Sequence, residues 1–205
     1  FLSPVLDLAL SLFRLFLRQY LKKLKHLKME ECHEIPSDVD SILRSDTHPY
    51  AEWHGHEYLQ WLKDYPIYNK ADGARKFYAL YDKGEMIGFF MTDESIENVQ
   101  HENENISIER GSILEWGTLD EKRLPEHLLL LQALLSFQNR VHTVTLHTRT
   151  PSLIDFLCKT CRMRISREVN WGIKIGAKSP FSADKAMIDI DNWRIRTAMG
   201  DVGLL

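Results

Sequence analysis

The chain has 205 residues, 44% hydrophobic and 27% charged, with 26 lysines and arginines against 29 aspartates and glutamates. That is enough apolar material for one folded unit with an appendage, and a net charge of -3 gives no general attraction to nucleic acid. Three cysteines, an odd count that includes Cys158 and Cys161, argue against a disulfide framework and for a reducing, cytoplasmic compartment.

The sequence starts at Phe1 rather than methionine, so a fragment of a longer protein or a processed product is expected. Residues 1–28, "FLSPVLDLALSLFRLFLRQYLKKLKHLK", read as a helix entered at Ser3 and Pro4. Arg14 and Arg18 interrupt its apolar run before the roughly 20 residues that a spanning helix needs. Its basic residues follow the apolar stretch, the reverse of a secretory signal. Two roles stay open: a helix packing on another domain or subunit, which the usual burial of apolar stripes favours, or one lying on an anionic membrane through Arg18, Lys22, Lys23, Lys25 and Lys28.

From residue 29 to 205 a single unit of alternating elements is expected. "LKMEECHE" (27–34) reads as a strand, and "PSDVDSILR" (36–44) as a short helix capped near Ser37 or Asp38. "EWHGHEYLQWLKDY" (52–65) is a second helix, although Gly55 weakens its first turn. "RKFYALYDKGEMIGFFMTDE" (75–94) is a hairpin turning at Asp82, Lys83 and Gly84. The aperiodic polar run 97–105 is expected to be a loop, and residues 106–119 a long strand with Gly111 as a bulge candidate. A leucine-rich helix (125–140), an alternating β-branched strand (141–148), a Thr-Pro helix (150–161), a strand (169–175) and an edge strand within 185–196 complete the order. The segment 106–148 has the length of a parallel strand-helix-strand crossover.

This order, with "FYALYDKGEMIGFF" early and "TPSLIDFLCKTCRMR" late, resembles the GCN5-related N-acetyltransferase (GNAT) superfamily from about Leu27 to Ile175. Gly84 and Gly88 take the places of the family's hairpin glycines, and Pro151, Phe156 and Leu157 fall in register with its late helix. Cys161 and Arg162 stand where glycine and phenylalanine are usual. The resemblance implies a mixed α/β fold: a central twisted sheet with helices on both faces, preceded by the N-terminal helix. It further implies acetyl-CoA or another acyl-CoA as co-substrate, held where two parallel strands part, and a small-molecule or protein amine as acceptor.

The same resemblance assigns candidate residues. Glu115 is the candidate catalytic base, acting through water, with a solvated strand carboxylate as the alternative. The backbone of Trp116, Gly117, Thr118 and Leu119 would hold the pantetheine arm. The family's glycine-rich pyrophosphate loop corresponds to Lys122, Arg123, Leu124, Pro125, Glu126 and His127, which contain no glycine. Pro125 lacks an amide donor and Glu126 competes with an anion. Arg123, Leu124 and His127 are the binding candidates left, unless Pro125 only opens a packed helix. Leu157 replaces the family's usual tyrosine acid, so a catalytically inactive module that binds a partner is the second hypothesis, and an unrelated α/β binding domain the third.

Three other clusters carry weaker signals. His54, His56 and Glu57 lack the third or fourth converging ligand of a zinc site, so no metal is expected and exposed histidines are the preferred reading. Cys158 and Cys161 lack the strand-helix context of a redox pair and read as small buried hydrophobes. Asp93, Glu94, Glu97, Glu102 and Glu104 form a solvated acidic group that would also attract a cationic acceptor.

Overall fold

The computed structural model describes residues 3–46, 48, 50–51, 54–65, 75–101, 104–137, 140–148, 150–165 and 193–194. The strand expected at 169–175 and most of 185–196 lie outside the described residues. Helix α1 (Ser3–Tyr20) runs into a 3-10 turn (Leu21–Leu24) and then strand β1 (Lys28–Cys32). Helix α2 (Asp38–Arg44), strand β2 (Tyr50–Ala51) and helix α3 (His56–Asp64) follow. The hairpin is β3 (Lys76–Asp82) and β4 (Glu85–His101); its turn residues Lys83 and Gly84 have φ of 53° and 89°, the left-handed pair that a tight hairpin needs. Then come β5 (Glu104–Thr118), α4 (Glu126–Ser136), β6 (Thr143–Leu146), α5 (Pro151–Lys159) and β7 (Trp193–Arg194), the last parallel to β2.

The main sheet has the order β1-β3-β4-β5-β6, antiparallel except for the parallel β5–β6 pair that α4 connects. Strand β3 and the inner part of β4, from Met86 to Thr92, are buried on both faces, which is why they read as continuous apolar runs. Tyr78, Leu80, Ile87 and Phe90 pack with Leu24 and with leucines of α4 and α5 on one face. Phe77, Ala79, Met86, Phe89 and Met91 pack with Val39 and Ile42 of α2 and Leu59 and Leu62 of α3 on the other. The expected mixed α/β architecture, a central sheet with helices on both faces behind an N-terminal helix, is therefore the one found.

Two expectations need correction. Residues 97–101 and 104–105, read as loop, are strand: β4 and β5 stay paired from Gly88↔Thr118 to His101↔Glu104, so the hairpin projects past the ends of β3 and β6 as a two-stranded arm. An arm solvated on both sides has no buried face to impose an apolar period, and its backbone ladder holds without one. Gly111 is not the bulge. The register slips between Met91↔Glu115 and Thr92↔Ile113, which makes Leu114 the extra residue. Gly111 instead makes room for Phe137, whose ring would stand 2.7 Å from a Cβ there.

Candidate functional site

The bulge at Leu114 determines where Glu115 points. Ile113 and Trp116 both pack on the α4–α5 face, so the two residues between them are turned toward α2 and α3. A bulge re-aims side chains in this way. Glu115 is 0% exposed, and its Oε2 lies 3.0 Å from Nδ1 of His54, itself 1% exposed. Its Oε1 accepts the Trp116 amide at 3.2 Å. The His54 ring stacks on Tyr58, with centroids 4.5 Å apart. A buried carboxylate is tolerated only when paired and hydrogen-bonded. With Glu115 ionised and so only an acceptor, His54 Nδ1 is the donor of this hydrogen bond.

His54 is thus not the exposed histidine expected from the sequence. It is held in place by α2. Gly55, which opens α3, offers no capping side chain; Asp40 of α2 accepts the His56 amide at 2.7 Å and faces the His56 ring at 2.8 Å. Burial pushes the Asp40 carboxyl up, but the His56 hydrogen bonds and charge outweigh it and hold the group below its ordinary range. His54 and His56 therefore serve different carboxylates. The signal available in the sequence was Glu115 itself: a carboxylate between Leu114 and Trp116 in a buried strand requires a donor, and "WHGH" supplies imidazoles at a helix start.

Past Ile113 the strand runs on without a ladder to β6. The β5–β6 ladder runs from Arg110↔Thr143 to Ile113↔Leu146, where β6 ends, while β5 continues to Thr118. Along this continuation, Gly117 faces Ile42 and Phe89, each 3.0 Å from the position of a Cβ, and the Leu119 amide donates to the Ile87 carbonyl at 2.8 Å. Thr118 Oγ1 donates to Glu121 at 3.3 Å.

At the start of α4 the charges answer one another. The Glu126 amide, at the positive end of the helix, donates to the Glu121 carboxylate at 2.9 Å. The Glu126 carboxylate accepts the indole N–H of Trp116 at 2.6 Å. Arg123 donates to Glu85 at 2.5 Å and to Asp82 at 2.8 Å across the hairpin turn. The arginine holds the Asp82 carboxyl below its usual range, and both acids raise the guanidinium in return. Leu124 is fully buried, with Cδ2 2.3 Å from where a Cβ on Gly88 would be. His127 is half-buried and its ring lies 4.9 Å from that of Phe156.

The remaining clusters are spoken for. Asp93 pairs with Arg75, Glu94 with Arg140 and Glu97 with Arg110, so much of the acidic group is neutralised by neighbours. Cys32, Cys158 and Cys161 are free thiols, each half-buried, and burial pushes Cys161 up to about 11.

No protein-family model matches the chain, and no curated protein matches it in sequence. Among solved structures, a single-substitution mutant of the BH1408 protein from Bacillus halodurans superposes with a TM-score of 0.51 at 10% identity, over 72% of this chain and 99% of that one. A tetramutant of the same protein gives 0.50, also at 10% identity, with the same coverage. At that identity the likeness shows the fold alone. An aminoglycoside acetyltransferase from an uncultured soil metagenomic sample, solved with sisomicin, superposes at 0.46 with 12% identity over 74% of this chain and 97% of that one, a score too low to carry an argument.

Proposed function

We propose that this chain is an acyl-CoA-dependent N-acyltransferase, of the acetyltransferase type, whose proton-accepting unit is the buried His54–Glu115 pair. One observation carries this reading: the β5–β6 ladder stops at Ile113 and Leu146, beside Glu115, while β5 runs on. A stretch of β5 without its parallel partner beside a buried carboxylate matches what an extended thioester-bearing arm and an amine need in order to meet. In the reaction the amine nitrogen attacks the thioester carbonyl, the new N–C bond forms and the C–S bond breaks. The attacking amine gives its proton to the His54–Glu115 pair, and the departing thiolate needs no acid at Leu157. The free cysteines are consistent with a cytoplasmic setting.

Trp116, Gly117, Thr118 and Leu119 are the segment proposed for the pantetheine arm, with Arg123, Leu124 and His127 proposed at the phosphate end. The fit differs between the two. The strand continuation suits an arm. The α4 start, by contrast, already has Glu121 on its amide and two acids on Arg123, so phosphate affinity is expected to be low. That second observation favours the other reading, an inactive module serving as a partner-binding domain of a larger protein.

Heat stability with added acetyl-CoA separates the two. A ligand at about 100 times its dissociation constant adds about 2.7 kcal/mol, a clear rise in melting temperature, and the absence of any rise supports the inactive module. Where binding is found, CoA release with a panel of amines follows. His54→Gln is then expected to lower kcat by about a hundredfold or more while acetyl-CoA still stabilises the fold.

A further inference from the structure

Helix α1 has two apolar sides. Leu17 is buried, and Leu21 and Leu24 just after the helix pack in the core that contains α4 and α5. At 3.6 residues per turn, Leu12 and Leu15 lie on the opposite side from Leu17 and Phe16 on the flank beside them, and the three are 57%, 56% and 47% exposed. The outward ring of Phe16 meets Tyr20 edge-on at 5.5 Å, and Tyr20 in turn meets Phe156 of α5 at 6.2 Å, so the outer stripe is braced against the domain.

Charge specifies the occupant of that stripe. Between Asp7 and Glu30 the chain places six of its 26 lysines and arginines and none of its 29 acids. Arg18, Lys22, Lys23 and Lys25 are exposed and continue from the end of the stripe. A second copy of this helix would set like charges against each other across a drying contact, which is unfavourable. No described helix is long and apolar enough to cross a bilayer. Exposed leucine and phenylalanine followed by cations that form no ion pair among the described residues match the headgroup and upper acyl layers of an anionic membrane.

We propose that α1 docks this chain in the plane of an anionic lipid surface, with Leu12, Leu15 and Phe16 inserted and Arg18, Lys22, Lys23 and Lys25 at the lipid phosphates. The docking is independent of the transferase chemistry. The test is flotation of the whole chain with phosphatidylcholine vesicles, with and without a third of phosphatidylglycerol. Binding is expected only with the anionic lipid, and is lost in high salt. Each of Lys22→Gln and Lys23→Gln should weaken it about fivefold. Leu15→Glu, at an exposed position that leaves the fold intact by circular dichroism, should abolish it. The proposal is overturned if the chain stays unbound on anionic vesicles at low salt, if Leu15→Glu binds as well as the parent, or if light scattering shows a dimer that Leu15→Glu dissolves.

Discussion

Strand β5 and the loop after it present two charged regions a few residues apart that are built on opposite terms. At Glu115 one carboxylate is sealed in the interior with one imidazole, both almost fully shielded from water. Around Arg123, Glu121 and Glu126, several charges at the surface neutralise one another. Interior charge is costly, so its partner is specified closely and hard to replace. Surface charge is screened, so its partners are exchangeable and its presence says little about purpose. The interior pair is therefore the better guide to chemistry, and the surface set the better guide to how strongly an anion is held.

The largest effect is expected at the interior pair. His54→Ala removes the ring from a fully buried carboxylate and should lower stability by about 3–5 kcal/mol in urea unfolding; an unchanged midpoint would erase the distinction between the two regions. Glu115→Gln keeps one oxygen to accept the Trp116 N–H and turns its NH2 toward His54 Nδ1, which accepts in the other tautomer, so it should unfold much closer to the parent and still lose turnover.

Next comes the link between the regions. Gly88 lies against Leu124 on one side and the Gly117 carbonyl, 3.2 Å from a Cβ, on the other. Gly88→Ala forces Leu124 out of place, and about 1–3 kcal/mol of overpacking is expected in the same experiment. If the loop moves with it, acetyl-CoA affinity changes too, which calorimetry reads directly.

The support of His54 is testable by pH. The Asp40 carboxyl is depressed in the folded state, so it titrates below its unfolded value of 3.8. Its contribution is complete above that value and is lost as pH falls through the folded pKa. Stability followed from pH 6 to about pH 2 should therefore fall less steeply in Asp40→Asn than in the parent, and parallel curves would show that Asp40 does not anchor α3.

The smallest effect on folding, and the most informative on binding, is at the surface set. Arg123→Ala should leave the unfolding midpoint nearly unchanged while abolishing acetyl-CoA binding. Freeing the arginine with Asp82→Asn and Glu85→Gln together should tighten binding. A double variant that binds more weakly would remove Arg123 from the phosphate end.

Much of this fold was legible in the sequence because it is governed by near neighbours. Lys83 and Gly84 turn the hairpin through their own backbone preference, Pro151 opens α5, and the apolar run of α4 covers a sheet wherever the sheet lies. The polar arm was missed for a related reason: with no face to bury, its residues carry no period to read. Glu115 was legible as a candidate; its partner was not. His54 lies 61 residues away along the chain.

The sequence by itself determined the succession of strands and helices from β1 to α5, apart from the short β2 and the polar arm, since turn geometry and apolar periodicity are local properties. Only the tertiary structure decided that the bulge falls at Leu114, that Asp40 fixes the start of α3, and that His54 thereby reaches Glu115. A buried charge is satisfied by whatever the packed fold brings within about 3 Å, and that neighbour is set by the folding of the whole chain.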